Sequence, residues 1–422
     1  MHVSRFTKIL LYCGMVNHKW LILILLLTGF NAFGQEDTLR FSVRGVVRDA
    51  ENGRPLQAVS VSVPGTTISV ITNNDGTFVI KTPSPADQLD FALMGYRRVR
   101  QMTPDNPSKV MSVRMARSSY TLEAANVMTG DPRSIMLLAI HSINDNAPEN
   151  AELFDCFFRE TVQKRQRYIY VSEAVTKVFK APAKNYFLSD RAAVSKSRLL
   201  TSPRASDTLG VKVLGGPAMA ADLDIVKNRL FLIDENDLDN YTMEMWVPEM
   251  IGDRMQFVIR LSPIPSENCA RHYGTVYIDR ETLAFTRIEM SLDMSDPVLA
   301  TKAMLVREPS GLRFRPKEMS LVLNYSMDGG KNRLSYLRTC FRFNCDWRKR
   351  LIATDYTAVA EMVVTNRQEG GKEMQIPLSD SFRSRDALAD KTVYYSDPDF
   401  WSDYNIIEPT TSLEHAIGRL KK

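Results

Sequence analysis

Between residues 41 and 83 the chain reads FSVRGVVRDAENGRPLQAVSVSVPGTTISVITNNDGTFVIKTP, where short β-prone runs alternate with turn formers in a fixed order. Val43, Val46, Val59, Val61, Val63, Val79 and Ile80 are β-branched, which suits a pleated, half-buried surface. Asn52-Gly53 and Asp75-Gly76 are turn dipeptides that tolerate positive φ, and Pro55 fixes φ where the next strand begins. Further runs at Gln88–Leu93, Arg97–Met102 and Val110–Met115 bring the expected total to about seven short strands. This spacing predicts a two-sheet β-sandwich, in which the glycines serve turns and do not cradle a phosphate.

The same stretch resembles the carboxypeptidase-like regulatory domain, a prealbumin-type β-sandwich. Gly45, Asp49, Gly53, Pro55, Leu56, Val59, Val61, Gly65, Thr66, Thr72, Asp75, Gly76, Phe78, Ile80 and Pro83 carry the resemblance without a gap. It implies a module and an exported location, and no chemistry.

The first residues fit export. Arg5 and Lys8 precede the apolar run Trp20–Leu27, and Ala32-Phe33-Gly34 puts small residues at the −3 and −1 positions of a cut after Gly34. Met15 serves equally well as a start, since Lys19 supplies a basic n-region, and Cys13 lies before the apolar core, where lipidation is not expected. No later run approaches the roughly 20 apolar residues of a membrane-spanning helix. The expectation is a soluble or peripherally held protein in the periplasm or at the outer-membrane periphery.

The formal charge of +5 shrinks on processing, because three basic residues and no acid leave with the signal. That balance excludes a nucleic-acid partner. Four cysteines remain, Cys156, Cys269, Cys340 and Cys345, and an oxidising compartment permits disulfides among them. Four cysteines allow three connectivities, with Cys340 and Cys345 the local pair to suspect; their C-x4-C spacing lacks a second pair or a nearby histidine for zinc.

After a linker over 118–130, Asp131 reads as an N-cap with Pro132 at the first helical position, and Ile135, Leu138, Ala139 and Ile143 form one apolar face. The next segment, FDCFFRETVQKRQRYIYVSEAVTKVFKAP, alternates like two strands across a polar turn near Gln163–Gln166. Phe157-Phe158-Arg159-Glu160 and Tyr170-Val171-Ser172-Glu173-Ala174 resemble signatures of a second domain in secreted Bacteroidota proteins, with Phe158 where tyrosine is expected. From Met243 onward strand-like runs dominate: Arg254–Ser262, Gly274–Asp279, Ala284–Leu292, Met319–Tyr325 and Leu334–Asn344. Gly274–Asp279 and Phe285–Met290, with a turn at Asp279–Thr282, resemble a hairpin of periplasmic lipoprotein-carrier half-barrels. Such a curved sheet either holds an acyl chain in its concave face or packs a filled core there.

The segments Asp397–Asn405 and Ser412–Leu420 resemble the close of the same Bacteroidota family. Thr411 and Glu414 form a capping box, and Leu413, Ala416, Ile417 and Leu420 fall on one helical face, so a short amphipathic helix should dock on the body, with Lys421-Lys422 at the negative end of its dipole. The expected fold is mainly β, a sandwich followed by a larger antiparallel domain with a packed helix. Its divisions are signal peptide 1–34, sandwich 38–117, linker 118–130, β-rich domain 131–408 and terminal helix 409–422.

No catalytic, cofactor-binding or metal site is expected. A zinc carboxypeptidase needs two histidines and a carboxylate on one metal, and the mature chain has only His141, His272 and His415, none in an H-x-x-E or H-E-x-x-H setting. There is no G-x-S-x-G elbow. Cys269 and His272 read more simply as a structural thiol and a surface imidazole than as a dyad. Fewer than 300 residues follow Leu122, too few for a transporter barrel of some 22 strands. The expected role is a non-enzymatic cell-envelope binding protein, its partner an envelope protein or a hydrophobic ligand. Alternatives are a periplasmic lipid carrier and a hydrolase with a scattered carboxylate site, which requires a polar cleft where two acids converge.

Overall fold

The computed structural model describes residues 41–118, 130–185, 187–207, 222–305, 311–347, 353–383 and 404–420, with Gly216 and Ala218 between. The expected signal peptide, most of the linker, residues 397–403 and Lys421-Lys422 lie outside the described residues.

Seven short strands build the first part: β1 (Phe41–Asp49), β2 (Ser60–Ser62), β3 (Ser69–Ile71), β4 (Thr77–Thr82), β5 (Gln88–Ala92), β6 (Val99–Met102) and β7 (Met111–Met115). They form two sheets, β4-β1-β7 and β3-β2-β5-β6, closed over a core that includes Val47, Val59, Val61, Phe78, Ile80, Phe91 and Val113. Gly76 is required by its turn: its φ is +73°, and a Cβ there would lie 2.5 Å from the Val47 carbonyl oxygen.

A helix pair follows, α1 (Pro132–His141) and α2 (Ile143–Asn146). Asp131 caps α1 by accepting from Ser134 N, as the sequence predicts. Leu138 departs from the expected apolar face and is largely exposed, while Met136 and Ile140 join Ile135, Ala139 and Ile143 in the core. The buried stripe runs through i, i+1, i+4 and i+5 because α1 is covered on a broad front.

The larger domain holds β8 (Ala151–Lys164), β9 (Arg167–Lys180), β10 (Arg191–Thr201), α3 (Ile225–Asn228), β11 (Tyr241–Met245), β12 (Glu249–Ile251), β13 (Arg254–Pro263), β14 (His272–Asp279), β15 (Phe285–Leu292), α4 (Pro297–Met304), β16 (Leu312–Asp328), β17 (Lys331–Trp347) and β18 (Asp355–Gly370). All pairings are antiparallel, in the order β10-β9-β8-β18-β17-β16-β15-β14-β13-β11, with β12 also on β13. Two meanders are thus joined where β18 returns beside β8. Ala192 of β10 and Tyr241 of β11 belong to one core cluster with α1. A flat sheet of this width would span over about 40 Å, so a helix of about 15 Å unites its ends only because the sheet curls around it.

The expected β8–β9 hairpin turns at Arg165 and Gln166, both at positive φ. Phe157 and Phe158 are both fully buried, on opposite faces of β8, since α1 covers one face and other segments the other.

The convex face is covered by the sandwich and by a C-terminal strap, residues 404–409 leading into α5 (Thr411–Leu420). Ser69 Oγ donates to Val364 O at 3.0 Å, and Gly95 N donates to Met250 O at 2.8 Å. Asn405 bonds both ways with the Lys81 backbone, accepting at 2.7 Å and donating at 2.9 Å. Asn73 Nδ2 donates to Glu408 O and Pro409 O. The expected capping box of Thr411 and Glu414 is replaced by a simple cap: Leu413 N donates to Thr410 Oγ1, and Thr411 N donates to Asp75 Oδ2 at 2.8 Å. A sandwich turn carboxylate therefore sits at the positive end of α5. Leu413 and Ile417 pack on Val171 and Leu200, so α5 docks on the body.

Beneath the strap, Arg198, Glu173, Arg159, Glu361 and Arg338 stand in register across five strands and alternate in charge. Arg159 Nε donates to Glu173 Oε1 at 2.7 Å, Arg198 holds the other carboxylate oxygen, and Arg159 Nη2 donates to Ile407 O at 2.6 Å. Arg159 and Glu173, singled out in the sequence, are thus the floor on which the strap rests.

Candidate functional site

Where α1 and α2 leave the concave face, a cavity of about 60 Å³ opens between the helices, the start of β8, the end of β9, α3 and the β16–β17 and β14–β15 turns. Its walls are largely apolar, with Ala139, Ile143, Phe154, Val226, Phe285 and Leu334 among them. Charged side chains enter from two sides, and each carboxylate among them is held by a base. Glu152 accepts from Arg333 Nε at 2.8 Å and from Arg367 Nη1 at 3.4 Å. Lys180 Nζ donates to Asp224 Oδ2 at 2.7 Å and reaches Asp190, which also pairs with Lys227. Tyr325 OH donates to Asp224 Oδ1 at 3.0 Å.

Burial sets the electrostatics of the two groups. It pushes the Glu152 carboxyl above the ordinary range in spite of Arg333 and Arg367. Burial also opposes the Lys180 ammonium, but Asp190 and Asp224 outweigh it and hold its pKa above that of ordinary lysine. Asp190 is held low because Lys180 and Lys227 overcome its burial. Lys227 is lowered by burial and by the neighbouring Lys180. The Tyr325 hydroxyl, buried beside Asp224, is raised well above an ordinary phenol. Asn332 Nδ2 donates to Phe285 O at 2.8 Å, while its Oδ1 is buried without a hydrogen-bond partner among the described residues, leaving an acceptor at the cavity wall.

Two acids, Glu152 and Asp224, do converge here, the condition set for a hydrolase. Both are committed to cations, so neither stands as a free base. The sequence offered no signal for this cavity, because its residues come from six separate segments. His141 Nε2 lies 3.1 Å from Glu235 Oε2 on the exposed side of α1, and His415 is exposed on α5. His272 is not the surface imidazole expected: it is half-buried with its Nε2 enclosed, its ring centroid 4.5 Å from that of Phe231, and burial pushes its pKa down to about 4. Cys269 is exposed, with its Sγ 3.9 Å from Ser266 Oγ. Among the described residues no three His, Cys, Asp or Glu side chains gather as a metal site.

Among the described residues, Cys156, Cys269, Cys340 and Cys345 are all free thiols. The suspected pair Cys340 and Cys345 lies five residues apart on one strand, β17, so their side chains face opposite sides at a separation of about 16 Å. A disulfide needs Cα atoms within about 7 Å.

Residues 43–128 match the family model described as the CarboxypepD_reg-like domain. The N-terminal sandwich is a carboxypeptidase-like regulatory domain. The match leaves the larger sheet outside it. Among solved structures, the chain is similar to an outer membrane lipoprotein-sorting protein domain from Vibrio parahaemolyticus, at 11% identity and a TM-score of 0.28, over 59% of this chain and 95% of that one. It is also similar to a DUF1329 family protein from Desulfovibrio piger, at 10% identity and a TM-score of 0.26, over 59% and 96%. These scores are low, and the larger domain is defined by its own strand order. No curated protein matches the chain.

Proposed function

We propose that the protein is a non-enzymatic binding protein of the cell envelope, in which the regulatory domain is built into the body as a rigid platform. The observation that carries this reading is the clamp: the sandwich is hydrogen-bonded to β18 and β12 and tied down by the strap through Lys81, Asn73 and Asp75. A module held on several sides presents one fixed surface to a partner. The pairing of Glu152, Asp190 and Asp224 with bases supports a role without acid–base catalysis.

A second reading, a carrier of a hydrophobic ligand, is favoured by the apolar walls of the cavity. At about 60 Å³ it is far smaller than the roughly 300–1,000 Å³ of ligand pockets, so α1 and α2 would have to move to admit an acyl chain. Mass spectrometry of organic extracts from residues 35–422, purified without detergent, separates the two. The platform reading expects a clean extract, and a stoichiometric lipid would replace it with the carrier.

A further inference from the structure

The β4-β1-β7 sheet turns Val47, Phe78, Ile80, Met111 and Val113 into the sandwich core. Its other face presents Arg44, Val46 and Arg48 on β1, Val79 and Lys81 on β4, and Arg114 on β7. β1 and β7 run parallel with Arg48 beside Arg114, and the exposed Val110 continues that register beside Arg44. Like charges side by side destabilise a sheet, yet none of the outward positions on these three strands holds an acid. Arg44 and Arg114 make no hydrogen bond or ion pair among the described residues, while Arg48 donates to Gly53 O at 3.1 Å and Lys81 to Tyr404 O at 2.8 Å. Glu408 of the strap reaches one edge of this face near Lys81 and Arg44, whose charges favour its carboxylate although burial raises its pKa, and it leaves Arg48 and Arg114 unmatched.

We propose that this face docks on an anionic lipid surface. The sandwich carries ten basic and six acidic side chains over residues 41–118, and Asp49 and Asp90 are already engaged by Arg117 and Arg100. Arg44 and Arg48 stand about 13 Å apart along one strand, so they reach separate phosphates and do not converge on one anion. Val46, Val79 and Val110 lie between the guanidinium groups together with the small hydroxyl residues Ser42, Thr77 and Ser112, which gives a face of small side chains with bases around it. That pattern fits a sheet of phosphodiester headgroups over acyl chains. The inference takes the envelope location from the proposed function, but its test does not involve the cavity, so the two fail separately.

The test is co-sedimentation of residues 35–422 with vesicles of phosphatidylcholine alone or mixed with phosphatidylglycerol, at about 0.1 M and about 0.5 M salt. Binding is expected to the phosphatidylglycerol vesicles at low salt and to fall at high salt. Arg44→Glu/Arg48→Glu/Arg114→Glu should weaken it about 100-fold, and the milder Arg44→Gln/Arg48→Gln/Arg114→Gln serves if the glutamates disturb folding. Arg280→Glu/Arg313→Glu/Arg315→Glu, with the same change in net charge on exposed sites elsewhere, should bind like the parent. The proposal is overturned if the parent shows no preference for phosphatidylglycerol, if a folded face variant binds undiminished, or if the control variant loses as much as the face variant.

Discussion

Glu173 is fully buried between Arg159 and Arg198, and burial, which would raise its carboxyl, is overcome by the two guanidinium groups, so its pKa is lowered. Removing that charge leaves two buried cations without their counter-ion. Glu173→Gln is therefore expected to cost about 3–5 kcal/mol in urea denaturation, and a loss below about 1 kcal/mol would show that the triad is not the floor of the strap. His272 supplies a pH signature. Its pKa falls from an ordinary 6.5 to about 4 in the fold, so the unfolded chain takes up a proton first as the pH drops. The contribution is fully present above pH 6.5 and is lost on descent toward about pH 4, roughly 3 kcal/mol at its limit. Stability measured against pH should show this slope in the parent, and His272→Phe should lose that component. An unchanged slope in the variant would contradict the burial of the ring.

At the scale of elements, β17 decides the fate of the cysteines. Residues 35–422 in denaturant without reductant should titrate four thiols, and the native protein should react at Cys269 alone, since Cys156, Cys340 and Cys345 are buried. Fewer than four would mean a disulfide and contradict the four free thiols of the fold. α5 holds the strap by Leu413 and Ile417, so Leu413→Ala, a buried truncation of about 2–5 kcal/mol, should open residues 404–420 to protease before the rest of the chain. Cleavage no faster than in the parent would argue that α5 is not what pins the strap. The sequence made some elements legible for local reasons. The β14–β15 turn is written in Asp279, whose side chain accepts from Glu281 N and Thr282 N, and the α1 cap in Asp131. Other features depend on partners far away in sequence: Leu138 lies on the apolar period yet faces solvent, and β18 pairs with β8 across about two hundred residues.

For the whole molecule, the regulatory sandwich was legible because each of its turns announces itself, as at Gly53 and Gly76, both at positive φ. The cavity was not, because Glu152, Lys180, Asp224 and Arg333 meet only after the sheet curls. Nor was the clamp, whose bonds join residues far apart in the chain, more than three hundred positions for Lys81 with Asn405. Sandwich, sheet and strap are thus built as one body. Differential scanning calorimetry of residues 35–422 tests it most directly. One cooperative transition, with calorimetric and van't Hoff enthalpies in agreement, is the predicted result. Two separable transitions, the first matching the isolated sandwich, would contradict it and return the regulatory domain to the status of a tethered module.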